Sequence, residues 1–198
     1  MPNWCHNDIK LCCNKKKFKE IVNKYFTNGN FDFNKITPMP DSLLVEKGTI
    51  TDIAKACSDA RINGLTTCQE YEQSIYCKNK SINFFLTGGR PEFQKTFDEL
   101  ADLGDTYRKN KELYGFEDWY DWCCEYWGTK WNASNCEIHD DNSFFFDTPW
   151  APPEPVLKKM AISENIRMVC GFSVEYGDYG TYNISKNGRI TNLIRKSS

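Results

Sequence analysis

The sequence predicts an α+β protein: an antiparallel sheet with helices packed on one of its faces. Three observations carry this. Apolar residues alternate with a period of two around 5–13, 136–148 and 166–176. They recur with a period of 3.6 at 18–26 and 156–161. Asn187-Gly188 separates two further extended runs, a strong hairpin signal. With residues 41–116 set aside, the order is strand, helix, strand, strand, helix, strand and a terminal hairpin, the split βαβ arrangement of ferredoxin-like folds. The expectation is one ferredoxin-like domain over 1–198, with a C-terminal β-hairpin and a large, mostly helical insertion over 41–116.

Each element has a local reason. Cys5, Asn7, Ile9, Leu11 and Cys13 alternate with His6, Asp8, Lys10 and Cys12, which makes a half-buried strand. Asn7 is misplaced on the inward side, and a buried amide needs partners, so it is expected to tie the strand to a neighbouring loop. Asn14 suits the N-cap of a helix whose stripe is Phe18, Ile21, Val22, Tyr25 and Phe26, ended by Asn28-Gly29-Asn30. Residues 31–40, with two prolines, are expected to be extended.

Within the insertion, residues 51–60 carry a helical stripe of Ile53, Ala54, Cys57 and Ala60 that stops near Gly64. Gly88-Gly89 breaks the chain after the apolar run 82–86. Pro91 opens a further helix with Phe93, Phe97, Leu100 and Ala101 on one face, expected to end at Gly104. After residue 132 the period returns to two. Residues 136–139 and 143–148 flank a turn of Asp140, Asp141 and Asn142, and 150–155 prepare a helix through Val156, Leu157, Met160 and Ala161. Residues 166–176 alternate without a break.

The segment 117–132, EDWYDWCCEYWGTKWN, holds four of the six tryptophans. Trp119, Trp122, Cys123 and Tyr126 fall on one helix face, with Gly128 as the stop and residues 129–132 as a compact loop. A core anchor accounts for this pattern, because buried rings remove large apolar areas from water.

Composition narrows the function. Hydrophobic content of 40% supports a real core, and the net charge of −2 argues against a broad basic nucleic-acid coat. The charge is uneven: residues 10–24 hold six lysines against one acid, and 98–141 hold twelve acids against four bases. No secretory leader or membrane-length apolar run is legible, so the expected compartment is a cytosol, with the ten cysteines as reduced thiols. Cys12-Cys13 and Cys123-Cys124 are vicinal rather than spaced for zinc, and Cys136 with His139 lacks a second pair, so no metal or other cofactor is expected.

Several blocks together resemble the Api92-like, YubB-type family of phage and plasmid proteins: MPNWCHND at the N-terminus, ITPMP at 36–40, WGTKWNA at 127–133, FDTPWAPPEPVL at 146–157 and VEYGDYGTY at 174–182. The resemblance implies a ferredoxin-like core and a mobile-element origin, and brings no catalytic residues. Residues 41–116 carry little of it.

The candidate ligand-binding residues are Trp127, Thr129, Lys130, Trp131, Asn132, Trp150, Arg167, Tyr176 and Tyr179. Aromatic faces stack a base while Lys130 or Arg167 holds a phosphate; a tryptophan-braced corner with Lys130 snorkelling to water explains the same residues. Catalysis has thinner support. Only His6 and His139 exist, neither in a triad signature, and Glu175 with Asp178 is a weak candidate carboxylate pair. The leading expectation is a non-catalytic accessory protein acting in counter-defence by binding a host component, either a nucleotide-type signal or a host protein. The alternatives are a single-stranded nucleic-acid binder using Lys15, Lys16, Lys17 and Lys19, and an uncharacterised enzyme.

Overall fold

A computed structural model of the chain describes residues 3–64, 95–139 and 142–197. The chain divides into two compact units, Met1–Met39 with Trp122–Ser198, and Pro40–Asp121.

The first unit is built on a six-stranded sheet. Its strands are β1 (Trp4–Cys12), β4 (Ser134–Ile138), β5 (Ser143–Pro149), β6 (Arg167–Val174), β7 (Tyr179–Ile184) and β8 (Ile190–Lys196), in the spatial order β4-β5-β1-β6-β7-β8, every pairing antiparallel. The first four neighbours in that order are the ferredoxin-like core, and the hairpin β7–β8 extends it. Helices α1 (Lys15–Tyr25) and α5 (Glu154–Glu164) supply the apolar faces that cover one side.

The period-two pattern of β1 is realised. Cys5, Asn7, Ile9 and Leu11 are buried and the intervening residues exposed. Beside them on the same face are the buried Phe144 and Phe146 of β5 and Met168 and Cys170 of β6, and the core is completed by Phe18, Ile21 and Tyr25 of α1 and Val156, Leu157, Met160 and Ala161 of α5. Burial pushes the Cys5 and Cys170 thiols up to about 12, so they behave as small apolar groups. Asn7 finds its partners on its own and the adjacent strand rather than a loop: its Nδ2 donates to Cys5 O of β1 at 2.9 Å, and to Thr148 Oγ1 at 2.9 Å and Phe146 O at 3.3 Å on β5.

Helix α1 starts as expected, Asn14 accepting from Lys17 N at 2.9 Å. It ends earlier than expected. Phe26 is already extended, and Asn28-Gly29, both with positive φ, turns a short hairpin of β2 (Phe26–Thr27) and β3 (Asn30–Phe31). Residues 31–40 are not wholly extended either, because Asp32 caps a 3-10 turn at Phe33–Lys35. Phe31 and Phe33 thereby join Phe144, Phe146 and Trp127 in one aromatic cluster with centroid separations of 5.1–6.0 Å.

The second unit centres on α2 (Thr49–Ile62) and α3 (Phe97–Tyr114), which meet through Ile50, Ile53, Cys57, Ala60, Phe97, Leu100 and Ala101. Helix α3 starts at a Thr96 capping box with Glu99, and Pro91 and Phe93 lie outside the described residues, as do the 82–86 run and Gly88-Gly89. Gly104 does not end the helix, which continues to the left-handed Gly115. Gly104 instead lets α3 press against α2: an added Cβ there would lie 2.1 Å from the Ala54 carbonyl oxygen.

Many of the acids in this unit are paired. Arg61 binds Asp102 and Asp105, Arg108 binds Asp59, Lys55 binds Glu117, and Lys47 binds Asp118 and Asp121. Among the described residues no helix is long and apolar enough to cross a membrane.

Helix α4 (Trp119–Tyr126) carries the aromatic stripe, but only part of it is buried. Trp122 and Cys123 are enclosed, whereas Tyr126 is exposed although its ring packs on Trp122.

Candidate functional site

The loop after α4 shapes a corner at one end of the sheet. Gly128 takes φ +80°, open to glycine without strain, and brings the backbone close to Pro155, where an added Cβ would meet the ring at 2.7 Å. Trp127 turns inward, its Nε1 donating to Thr37 O at 2.9 Å. Thr129 is also buried and donates from Oγ1 to Pro149 O at 2.9 Å. Asn132 Oδ1 accepts from Phe33 N at 2.8 Å while its Nδ2 donates to Asp32 Oδ1 at 2.9 Å. Trp127, Thr129 and Asn132 therefore spend their polar atoms on the frame, leaving Lys130 and Trp131 at the surface.

The Lys130 ammonium sits 4.0 Å from the Trp131 ring centroid and 4.2 Å from that of Trp150. This is a two-sided cation–π contact. Both indoles keep an outer surface, 42% exposed for Trp131 and 43% for Trp150. Trp150 is held at φ +68°, a conformation that bulky residues rarely adopt, with its N–H donating to Asn3 O at 2.9 Å. Trp4, which sequence reasoning passed over, packs 6.4 Å from Trp131. No carboxylate pairs with Lys130 among the described residues.

The other expected site residues lie elsewhere. Arg167 opens β6 opposite Cys12, whereas the corner adjoins the far end of the same strand, where Trp4 and Glu175 exchange hydrogen bonds. Arg167 therefore cannot share a small ligand with Lys130, since eight residues of extended strand separate the two ends. Tyr176 stands 97% exposed in the β6–β7 turn, and Tyr179 lies on the open sheet face opposite Ser173. Glu175 and Asp178 do not pair. The first accepts from Trp4 N, the second from Ser197 Oγ and approaches Arg195. Cys136 is committed to the backbone, accepting from Phe31 N at 3.2 Å.

The open sheet face holds a second group that sequence reasoning missed. His6 Nδ1 lies 2.6 Å from Asp147 Oδ1, and Asn135 Nδ2 donates to Asp147 Oδ2 at 2.9 Å. Its ring stacks on Phe145, with centroids 5.9 Å apart and planes 22° from parallel. The signal available was the outward parity of His6 in its strand. Its pairing with a residue 141 positions away needed the register of β1 against β5.

Residues 127–197 match the family model described as the ferredoxin-like domain in Api92-like protein. A comparison with curated proteins found no match. Among solved structures, the chain is similar to the crystal structure of a protein api92 from Yersinia pseudotuberculosis, with a TM-score of 0.49 and 11% identity, over 100% of this chain and 99% of that one. Residues 127–197 are thus similar to the ferredoxin-like domain of Api92-like protein.

Proposed function

We propose that the protein acts by binding, as a mobile-element accessory protein in counter-defence that captures a nucleotide-type host signal at the Lys130 corner. One observation carries the ligand class: an ammonium gripped between two indole faces, with no carboxylate partner among the described residues. Ring faces fix the cation but accept none of its N–H groups in conventional hydrogen bonds, so those donors stay available to a phosphate. The half-exposed outer faces of Trp131 and Trp150 offer a stacking surface for a base. Because Lys130 occupies the space between the rings, the base stacks outside them rather than between them. The counter-defence role rests on the resemblance to proteins carried by phages and plasmids, and a cytosolic setting goes with it.

The alternatives draw less support. Lys17 and Lys24 both turn onto Glu164 at 2.7 Å, which reduces the basic face available to a nucleic-acid strand. A host protein reading an acidic flank as nucleic acid would meet acids already paired with Arg61, Lys47 and Lys55.

A thermal-shift screen against cyclic and linear nucleotides tests the reading. A ligand at 100 times its Kd adds about 2.7 kcal/mol, a clear upward shift in Tm. Lys130→Glu abolishes that shift without lowering the Tm of the free protein by more than a few degrees. If no nucleotide moves the Tm and a pull-down from host lysate returns nothing, the capture reading falls.

A further inference from the structure

We propose that Ser173, His6 and Asp147 form a nucleophile–base–orienter row on the open sheet face, acting on activated carboxylic esters. This goes beyond the binding reading and uses none of the residues of the Lys130 corner. The three residues stand side by side on adjacent strands: His6 on β1 is in register with Asp147 on β5 and with Ser173 on β6.

Asp147 is the buried end of the row. Its side chain is 8% exposed and both its oxygens are engaged, Oδ1 by His6 Nδ1 at 2.6 Å and Oδ2 by Asn135 Nδ2 at 2.9 Å. Asn135 is aimed by an irregularity in β4, where it takes φ +51° between Ser134 and Glu137. As a carboxylate, Asp147 only accepts, so the imidazole proton sits on Nδ1 and the Nε2 lone pair is free to take a proton. The two ring nitrogens point in nearly opposite directions. With Nδ1 directed at Asp147 on β5, Nε2 lies on the side of the ring away from that carboxylate.

The imidazole is 46% exposed, and Phe145 fixes its plane. It borders an open depression of about 260 Å³ lined by Asp8, Phe145, Gly171 and Ser173. Gly171 keeps this floor low: a Cβ there would touch only Asp8, at 3.7 Å. Ser173 is exposed and makes no hydrogen bond to the ring in this structure. Directly paired residues carry Cβ atoms about 5 Å apart, so rotation about the Ser173 side chain brings its hydroxyl within reach of Nε2.

In the reaction, Ser173 Oγ attacks the ester carbonyl carbon and its proton passes to His6 Nε2. The carbon–oxygen bond to the leaving group breaks, and that oxygen takes the proton from His6. Water then cleaves the acyl-serine by the same route, releasing the carboxylic acid.

The test is labelling of the full chain with a fluorophosphonate probe, read by intact mass and peptide mapping. In this step Oγ displaces fluoride from phosphorus. The expected result is one phosphonyl group on Ser173, absent from Ser173→Ala and added about a hundredfold more slowly to His6→Gln. Tm measurements on the same samples confirm that both exposed-site variants fold. Hydrolysis of p-nitrophenyl acetate should fall in parallel. An unlabelled wild type, label on another residue, or an unchanged rate in His6→Gln each overturns the proposal. None of these outcomes bears on nucleotide binding at Lys130.

Discussion

Asn7 and Thr148 face each other inside the sheet, the amide Nδ2 donating to the threonine Oγ1 at 2.9 Å, both residues fully buried. Thr148 passes the bond on, its own hydroxyl donating to Ala151 O at 2.8 Å where the chain leaves β5 for the Trp150 turn. A polar residue on an apolar face thus links the strand pairing to the site-forming turn. Asn7→Leu places an apolar group beside these acceptors and strands them, at a cost of about 1–3 kcal/mol. Urea denaturation should show a lower midpoint with an unchanged slope.

Trp122 touches Tyr126 at a centroid distance of 4.8 Å and Trp127 at 5.7 Å, and is 5% exposed. Trp122→Ala is expected to cost about 3–5 kcal/mol, the range for aromatic truncation in a core. The same change at Tyr126, whose ring is partly in solvent, should cost clearly less. Equal midpoints for the two variants would show that the Trp122 ring carries no special share.

Glu164 joins α5 to α1. Burial raises its pKa, but hydrogen bonds from Lys17, Lys24 and Tyr25 outweigh that and bring it down to about 2 from the usual 4.5. A depressed acid pKa means stability that is present above the usual value and lost as pH falls from 4.5 through 2. The contribution at neutral pH is at most about 3 kcal/mol, and less because both lysine ends are solvated. Glu164→Gln should lower the Tm at pH 7, and the difference from wild type should shrink to little by pH 2.

Some of this molecule was determined by the sequence alone. The alternation from Cys5 to Cys13 specified β1 and its buried face, Asn14 specified where α1 begins, and Asn187-Gly188 specified the last hairpin. Those features depend on neighbours a few residues apart, through side-chain period, capping and turn geometry. Others were decided only by tertiary structure. Gly104 looked like a helix stop because glycine favours turns, yet close packing on Ala54 holds it inside α3. Lys130 had two tryptophans in view, but that its ammonium lies against both depends on where β5 delivers Trp150. The row Ser173–His6–Asp147 depends on the register of three strands far apart in the chain. A shift of one residue in either pairing would turn each partner to the opposite face, and no local pattern in one strand encodes its alignment with another.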